Sequence, residues 1–345
     1  MKNLNYVIVI GYSRSGSSAC TNLLKEFEGF HAVDGEFRIA KDPYGLLDLE
    51  NALVHNWDVM RNDIAIRDFF SYCDMFSRSP GLFKKTGKGF SNKLNVDVMN
   101  LAENYINSLV DMVYCGNSAV HRYYSSAFKL FISSIRSKFG KNNAIQTYCS
   151  KPSEDVFIKM TRQFIDSLFV NHLNDETTII LDQAMSPANI ANTIKYFHSS
   201  KVIVMDRDPR DIYSNLSKNG ILIGADLSSH DSVDKYVKWH NILRSNLENE
   251  IASKELSKNV LRLNFEDLVL NYEHSVEKIT NFLGGNIVHK NQCVYFNPKG
   301  ERSKKSVELR KKYPDQRIMD EILDKLPQYC KHYKIFSFIK SYCNG

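Results

Sequence analysis

Two groups of residues in this chain have types and spacing suited to binding an anion. The first is Gly11-Tyr12-Ser13-Arg14-Ser15-Gly16-Ser17-Ser18. A glycine-bearing turn that opens a helix offers unpaired N–H groups and a partial positive charge. Its glycines have the G-x-x-x-x-G spacing of a triphosphate-binding loop, which needs a lysine directly after the second glycine. Ser17 stands in that place, and the nearest cation is Arg14, inside the loop. A magnesium-bound triphosphate would lose its main cation here. A less charged anion can be met by N–H groups, hydroxyls and one guanidinium without a metal. The second group is Arg207-Asp208-Pro209-Arg210-Asp211. Asp208 suits a helix N-cap, Pro209 the first helical position, and Asp211 the first turn. Arg207 then falls at the carboxyl end of a strand, the edge where open α/β sheets bind ligands. The plainer alternatives are a connecting turn at 11–18 and a well-capped helix start at 207–211.

The elements that must hold these groups can be read from apolar patterning. Tyr6-Val7-Ile8-Val9-Ile10 is a continuous apolar run, as expected of a strand buried on both faces of a parallel sheet. A helix over 19–27 is predicted after the loop. Similar strands are predicted at 177–181, 201–205 and 260–263, with helices at 187–198 and 271–283, the latter ending at Gly284-Gly285. Strands alternating with helices give an α/β class with a central, mostly parallel sheet flanked by helices. Residues 40–150 read differently, with helical spacing over 48–60, 62–76 and 96–113 and a basic, glycine-bearing loop over 81–95. They are expected to form a helical insertion or cap within a single domain spanning 1–345.

Bulk composition narrows the class. Of 345 residues, 43% are hydrophobic and 24% charged, which argues against disorder. The formal charge is +6, from 45 Lys+Arg and 39 Asp+Glu, and this mild excess decides little about partners. The seven cysteines form no CxxC pair, and their odd number suggests reduced thiols rather than a disulfide framework or structural zinc. The first strand starts too early to leave room for a signal peptide, and no window is apolar enough to cross a membrane. A soluble, cytoplasmic protein is expected.

The segment Ser13-Arg14-Ser15-Gly16-Ser17-Ser18 resembles the 5′-phosphosulfate loop of sulfotransferases that use 3′-phosphoadenosine 5′-phosphosulfate, and 207–211 resembles that family's 3′-phosphate motif. The resemblance covers roughly 6–37 and 177–312. It implies a P-loop-NTPase-like fold, no metal, and donor contacts from Arg14, Ser15, Gly16, Ser17 and Ser18. At the 3′-phosphate it implies Arg207 and a serine eight residues later. That position is Asn215 here and the serine is Ser214, about 100° away on a helix, so Asn215 is preferred. Leu263-Asn264-Phe265-Glu266-Asp267-Leu268 resembles the element whose aromatic residue lies near adenine, assigned to Phe265. Gly300-Glu301-Arg302-Ser303-Lys304-Lys305 resembles the basic loop over the 3′-phosphate, with Arg302 and Lys304 as contacts or else a solvated charge run.

Sulfuryl transfer is an in-line displacement, favoured by donors aimed at the developing charge; Arg14 has that role. The acceptor hydroxyl must also lose a proton. In the glycan-modifying branch a glutamate of the second strand is often the base, and Glu36 matches its place, ahead of His31 and Asp34. Arg38 is expected to orient Glu36 or to bind acceptor. Asp182 and Gln183 are expected to contact acceptor hydroxyls, or else to cap the next helix. Lys84, Lys85, Lys88 and His121-Arg122-Tyr123-Tyr124 suit a sugar pocket. The expected partner is a saccharide or glycolipid, not nucleic acid, as in bacterial enzymes of surface polysaccharide biosynthesis. A P-loop kinase and a nucleotide-binding scaffold without turnover are the alternatives. The closing segment 333–342 reads as a helix packed on its own domain or docked to a partner.

Overall fold

A computed structural model describes residues 4–81, 86–116, 127–139, 144–172, 177–219, 232–251, 254–285 and 287–331. In chain order, β1 (Asn5–Gly11), α1 (Ser17–Leu24) and β2 (Phe30–Glu36) come first. There follow α2 (Leu46–Glu50), α3 (Val59–Ser77), α4 (Phe90–Leu94), α5 (Val98–Leu109), β3 (Met112–Gly116), α6 (Ala127–Lys138), β4 (Ile145–Cys149) and α7 (Glu154–Leu168). The chain continues through β5 (Thr178–Asp182), α8 (Ile190–Ile194), β6 (Ser200–Asp206), α9 (Pro209–Lys218), α10 (Ser232–Ile251), α11 (Lys254–Ser257) and β7 (Val260–Asn264). It closes with α12 (Phe265–Leu270), α13 (Tyr272–Leu283), α14 (Glu301–Ser306) and α15 (Gln316–Lys325). Contacts divide it into two units, Met1–Arg38 with His172–Gly345, and Ile39–Asn171.

The first unit holds a five-stranded sheet in the order β2-β5-β1-β6-β7, and every pairing is parallel. In β1 every residue after Asn5 is buried, because helices cover both faces. On one face Val7, Val9, Ile203, Met205 and Leu263 pack against Leu23 and Leu24 of α1, Leu268 of α12 and Ile279 of α13. On the other, Tyr6 meets Phe197 edge-on at 5.5 Å. Glu26 is fully buried just beyond α1, yet it is satisfied: its carboxylate accepts the N–H groups of Cys293, Tyr295 and Phe296 and pairs with His289 at 2.8 Å. One buried carboxylate thereby fixes the segment that leads into α14.

The second unit corrects several expectations. The helical stretch predicted over 48–60 is α2 followed by a π-turn, Asn51–His55, after which the helix breaks. Asp58 begins α3 as its N-cap, accepting the Met60 and Arg61 N–H groups. In the loop predicted over 81–95, residues Phe90–Leu94 are helical, started by Gly89 at φ 71°. The helix predicted over 96–113 stops at Leu109, where Val110 turns extended; Met112–Gly116 pairs antiparallel with Ile145–Cys149. The insertion thus contains a two-stranded sheet, since Val113 and Tyr114 suit a strand as well as a helix. The unit also runs past 150, to Asn171, because α7 packs on α5: Tyr105 stacks on Phe164 at 4.8 Å and bonds Thr161 at 2.7 Å. In the first unit, the helix predicted over 187–198 is only Ile190–Ile194. Lys84, Lys85, 121–124 and 333–342 lie outside the described residues; Lys88 donates to Asp42 at 2.7 Å.

Candidate active site

The loop 11–18 leaves β1 at the carboxyl edge of the sheet, between β5 and β6. Gly11 has no room for a side chain, since a Cβ would meet Ser15 Oγ and stand 2.9 Å from the Met205 carbonyl oxygen. The chain turns through left-handed backbone at Arg14, φ 61°, and Gly16, φ 96°. A Cβ on Gly16 would stand 2.5 Å from the Phe265 ring, so this position needs glycine for space as well as for φ. Helix α1 starts without a side-chain cap, which leaves the Ser17 and Ser18 N–H groups to an outside acceptor, while the Ala19 N–H donates to the Gly16 carbonyl at 3.0 Å. Ser15 Oγ is buried and has no partner. An uncapped helix start and an unpaired hydroxyl inside one turn fit an anion.

The end of β5 is tied to this loop. Gln183 Nε2 donates to Ser17 Oγ at 3.0 Å, and Ser18 Oγ donates to Asp182 Oδ2 at 3.4 Å. Gln183 holds φ 59° while its N–H donates to the Val9 carbonyl at 2.8 Å.

Arg207 is buried at the end of β6. Its Nη1 donates to the Arg14 carbonyl at 2.9 Å and its Nη2 to the Ser306 carbonyl, the last residue of α14. The guanidinium lies 4.8 Å from the centroid of Phe265, and Nε has no partner. Burial lowers its proton affinity, opposed by Asp211, Glu266 and Asp208. The remainder of the motif sets the surroundings. Asp208 caps α9 by accepting the Arg210 N–H at 2.9 Å; it also pairs with the Arg210 side chain at 2.7 Å and takes the Lys331 N–H at 3.0 Å. Burial opposes ionisation of Asp208, but the bonds from Arg210 and Lys331 and the Arg310 charge outweigh it and hold the carboxyl below its usual range. Asp211 accepts the N–H groups of Glu308 and Arg310 and pairs with Arg310 Nη1 at 2.8 Å. It thereby clamps the turn just after α14. Glu266 accepts the Asp208 N–H at 3.0 Å and leaves its other oxygen buried without a partner; burial pushes its carboxyl up to about 7.

Ser214 is buried, and its hydroxyl donates back to the Arg210 carbonyl at 2.7 Å. Asn215 is half-buried, with its amide oxygen accepting from Asn219 at 3.3 Å. Phe265 packs into the core cluster under Gly16 and Arg207. Arg302 and Lys304 are exposed on α14. Glu36, exposed at the end of β2, is in register with Asp182 and accepts from Arg38 Nη1 at 3.0 Å. His31 sits at the opposite end of β2, stacked on His172 at 4.7 Å, and burial with the nearby His172 lowers its pKa. Asp34 pairs with Lys25 at 3.2 Å. The structure thus gathers Arg14, Ser15, Gly16, Ser17, Ser18, Asp182, Gln183, Glu36, Arg38 and Arg207 at one sheet edge, and His31 away from it.

Sequence reasoning missed a support beneath the loop. Arg244, on α10, is buried with its guanidinium 4.1 Å from the centroid of Tyr12, and it donates to Asp206 at 2.7 Å. Arg262 donates to the other Asp206 oxygen at 2.6 Å. These residues come from four distant segments, so no local spacing announces them.

Residues 7–287 match the sequence model described as the Sulfotransferase family. No curated protein matches the sequence. Among solved structures, the chain is similar to the sulfotransferase domain of the olefin synthase of Synechococcus PCC 7002, at 13% identity and a TM-score of 0.44, covering 97% of this chain and 98% of that one. It is also similar to the sulfotransferase STF1 from Mycobacterium tuberculosis H37Rv, at 10% identity and a TM-score of 0.40, covering 94% and 77%. A third is a retinol dehydratase solved with androsterone and the inactive cofactor PAP, at 15% identity and a TM-score of 0.34, covering 96% and 84%.

Proposed function

Because the chain belongs to the sulfotransferase family, we propose that it moves a sulfuryl group from 3′-phosphoadenosine 5′-phosphosulfate to a hydroxyl of a saccharide or glycolipid, with Glu36 as general base. The observation that supports this reading is the bond from Arg207 to the Arg14 carbonyl, which ties together two segments 193 positions apart that would hold the two ends of the donor. Arg14, the N–H groups of Ser17 and Ser18 and the hydroxyls of Ser15 and Ser17 would hold the 5′ end; the Ser18 hydroxyl already donates to Asp182. Arg207, Asn215, Arg302 and Lys304 would hold the 3′-phosphate; Ser214 is committed to the helix backbone. The unpaired Ser15 hydroxyl and Arg207 Nε support this assignment. The donor, when bound, supplies the sulfuryl group.

The remaining work falls to this chain's own residues. Glu36 takes the proton from the acceptor hydroxyl, and Arg38, bonded to it, keeps its carboxylate in place. Arg14 and the loop N–H groups meet charge that grows at the transferred group. Asp182 and Gln183 hold Ser18 and Ser17 at the edge where an acceptor would enter. Phe265 carries Gly16 and Arg207 from below. The cellular role in this reading is sulfation of a polysaccharide precursor in the cytoplasm.

A thermal-shift comparison tests the donor: 3′-phosphoadenosine 5′-phosphate should stabilise the protein, and ATP with magnesium should not. The reverse result would replace a sulfotransferase by a kinase. Incubation with labelled donor and a panel of glycans and glycolipids tests the acceptor. Donor binding without transfer to any of them would reject the saccharide reading.

A further inference from the structure

The second unit carries a helix that stands exposed on all sides. Nearly every described side chain of α6 is exposed, and its largest are apolar: Phe128 is 71% exposed and Phe131 62%. At about 100° per residue, Phe128, Phe131, Ile132, Ile135 and Phe139, just past the helix end, fall within an arc of roughly 100°. Arg136 and Lys138 lie on either side of this stripe, and Ser133, Ser134 and Ser137 lie opposite together with Leu130, the least exposed of the large apolar side chains here at 36%. Segment 127–139 contains three cationic residues, Lys129, Arg136 and Lys138, and no acidic one.

We propose that α6 lies in the surface plane of an anionic bilayer, with Phe128, Phe131, Ile132, Ile135 and Phe139 in the acyl boundary. Basic residues beside an apolar stripe can reach up to lipid phosphates while their stems cover apolar surface. A helix of 12 residues is about 18 Å long, too short to cross, and among the described residues no helix is long and apolar enough to do so. Charge selects the bilayer over a second copy of the chain. Two copies meeting through this face would set like charges against each other, whereas anionic headgroups complement them.

The test is co-sedimentation of the full-length protein with phosphatidylcholine vesicles, with and without phosphatidylglycerol. Binding should be at least about tenfold stronger to the anionic vesicles and should weaken with salt. The double variant Phe128→Ser/Phe131→Ser should lose binding with an unchanged melting temperature, since both rings are exposed. Arg136→Ser/Lys138→Ser should lose the preference for anionic lipid and keep weak general binding. Equal partition onto both vesicle types, or binding unaffected by either variant, would overturn the proposal. So would light scattering that shows a dimer in the native protein and a monomer in Phe128→Ser/Phe131→Ser, because the stripe would then be a contact between copies.

Discussion

In the proposed mechanism Arg14 and Glu36 act on different steps, and substitution should separate them. Arg14 is the loop's cation and faces outward from left-handed backbone. Arg14→Ala should lower kcat by about a hundred- to a thousandfold, the cost of removing one preorganised donor. Glu36→Gln keeps the shape of the side chain but not its basicity, so kcat should fall by about a hundred- to ten-thousandfold while 3′-phosphoadenosine 5′-phosphate binds as before. Steady-state rates with calorimetric binding check both; a Glu36→Gln enzyme with native kcat would remove Glu36 as base. Gly16→Ala is a different kind of change. The new methyl would press on the Phe265 ring at a φ that costs about 1–3 kcal/mol for other residues. It should lower the unfolding midpoint and weaken nucleotide binding together. Gly16→Ala with native midpoint and affinity would show that the ring yields.

At the scale of elements, α9 begins inside a cluster of buried charges rather than at a solvated cap. Asp211 is the hinge between α9 and the turn that follows α14. Asp211→Ala removes the nearest carboxylate from the buried Arg310, leaving Asp208 at 3.7 Å and Glu308 at 3.6 Å, at a cost of up to about 3–5 kcal/mol. It should also weaken the proposed 3′-phosphate contacts, because α14 loses its anchor; Asp211→Asn should recover only part of both losses, since its single amide oxygen can accept one of the two N–H groups. Urea unfolding and nucleotide binding measure the pair of effects. Loss of stability with unchanged nucleotide affinity would separate the clamp from the site.

At the scale of the molecule, stability should depend on pH through a histidine remote from the chemistry. His240 is fully buried, its Nδ1 lies 3.1 Å from Arg244 Nη1, and burial followed by the Arg244 charge pushes its pKa down to about 2. Arg244 can donate only to a neutral ring. In the unfolded chain the same ring titrates near about 6.5. Below that pH the unfolded state therefore binds the extra proton, and stability falls as pH drops, by up to about 1.4 kcal/mol per pH unit from this group. His31, also depressed, adds in the same direction. Urea midpoints at pH 7 and pH 5 should differ less in His240→Asn, which keeps an acceptor for Arg244. Identical differences in the two proteins would assign the acid sensitivity elsewhere.

The sequence by itself determined β1, the loop that follows it and the cap of α9. Each depends on neighbours within a turn or two: an apolar run long enough to be buried on both faces, a glycine where φ is positive, an aspartate and a proline at a helix start. It also nominated Glu36 as a base and Asp182 as an acceptor contact or helix cap, but not the register that sets the two side by side. Only the tertiary structure decided that Ser214 turns back to its own helix while Asn215 does not, that Phe265 is a floor under Gly16 and Arg207, and that residues 112–116 form a strand. It alone brought Arg244 under Tyr12 and Arg207 to the Arg14 carbonyl. Strand partners and buried charge pairs are chosen by packing between distant segments, and apolar periodicity records which face is buried but not what it is buried against.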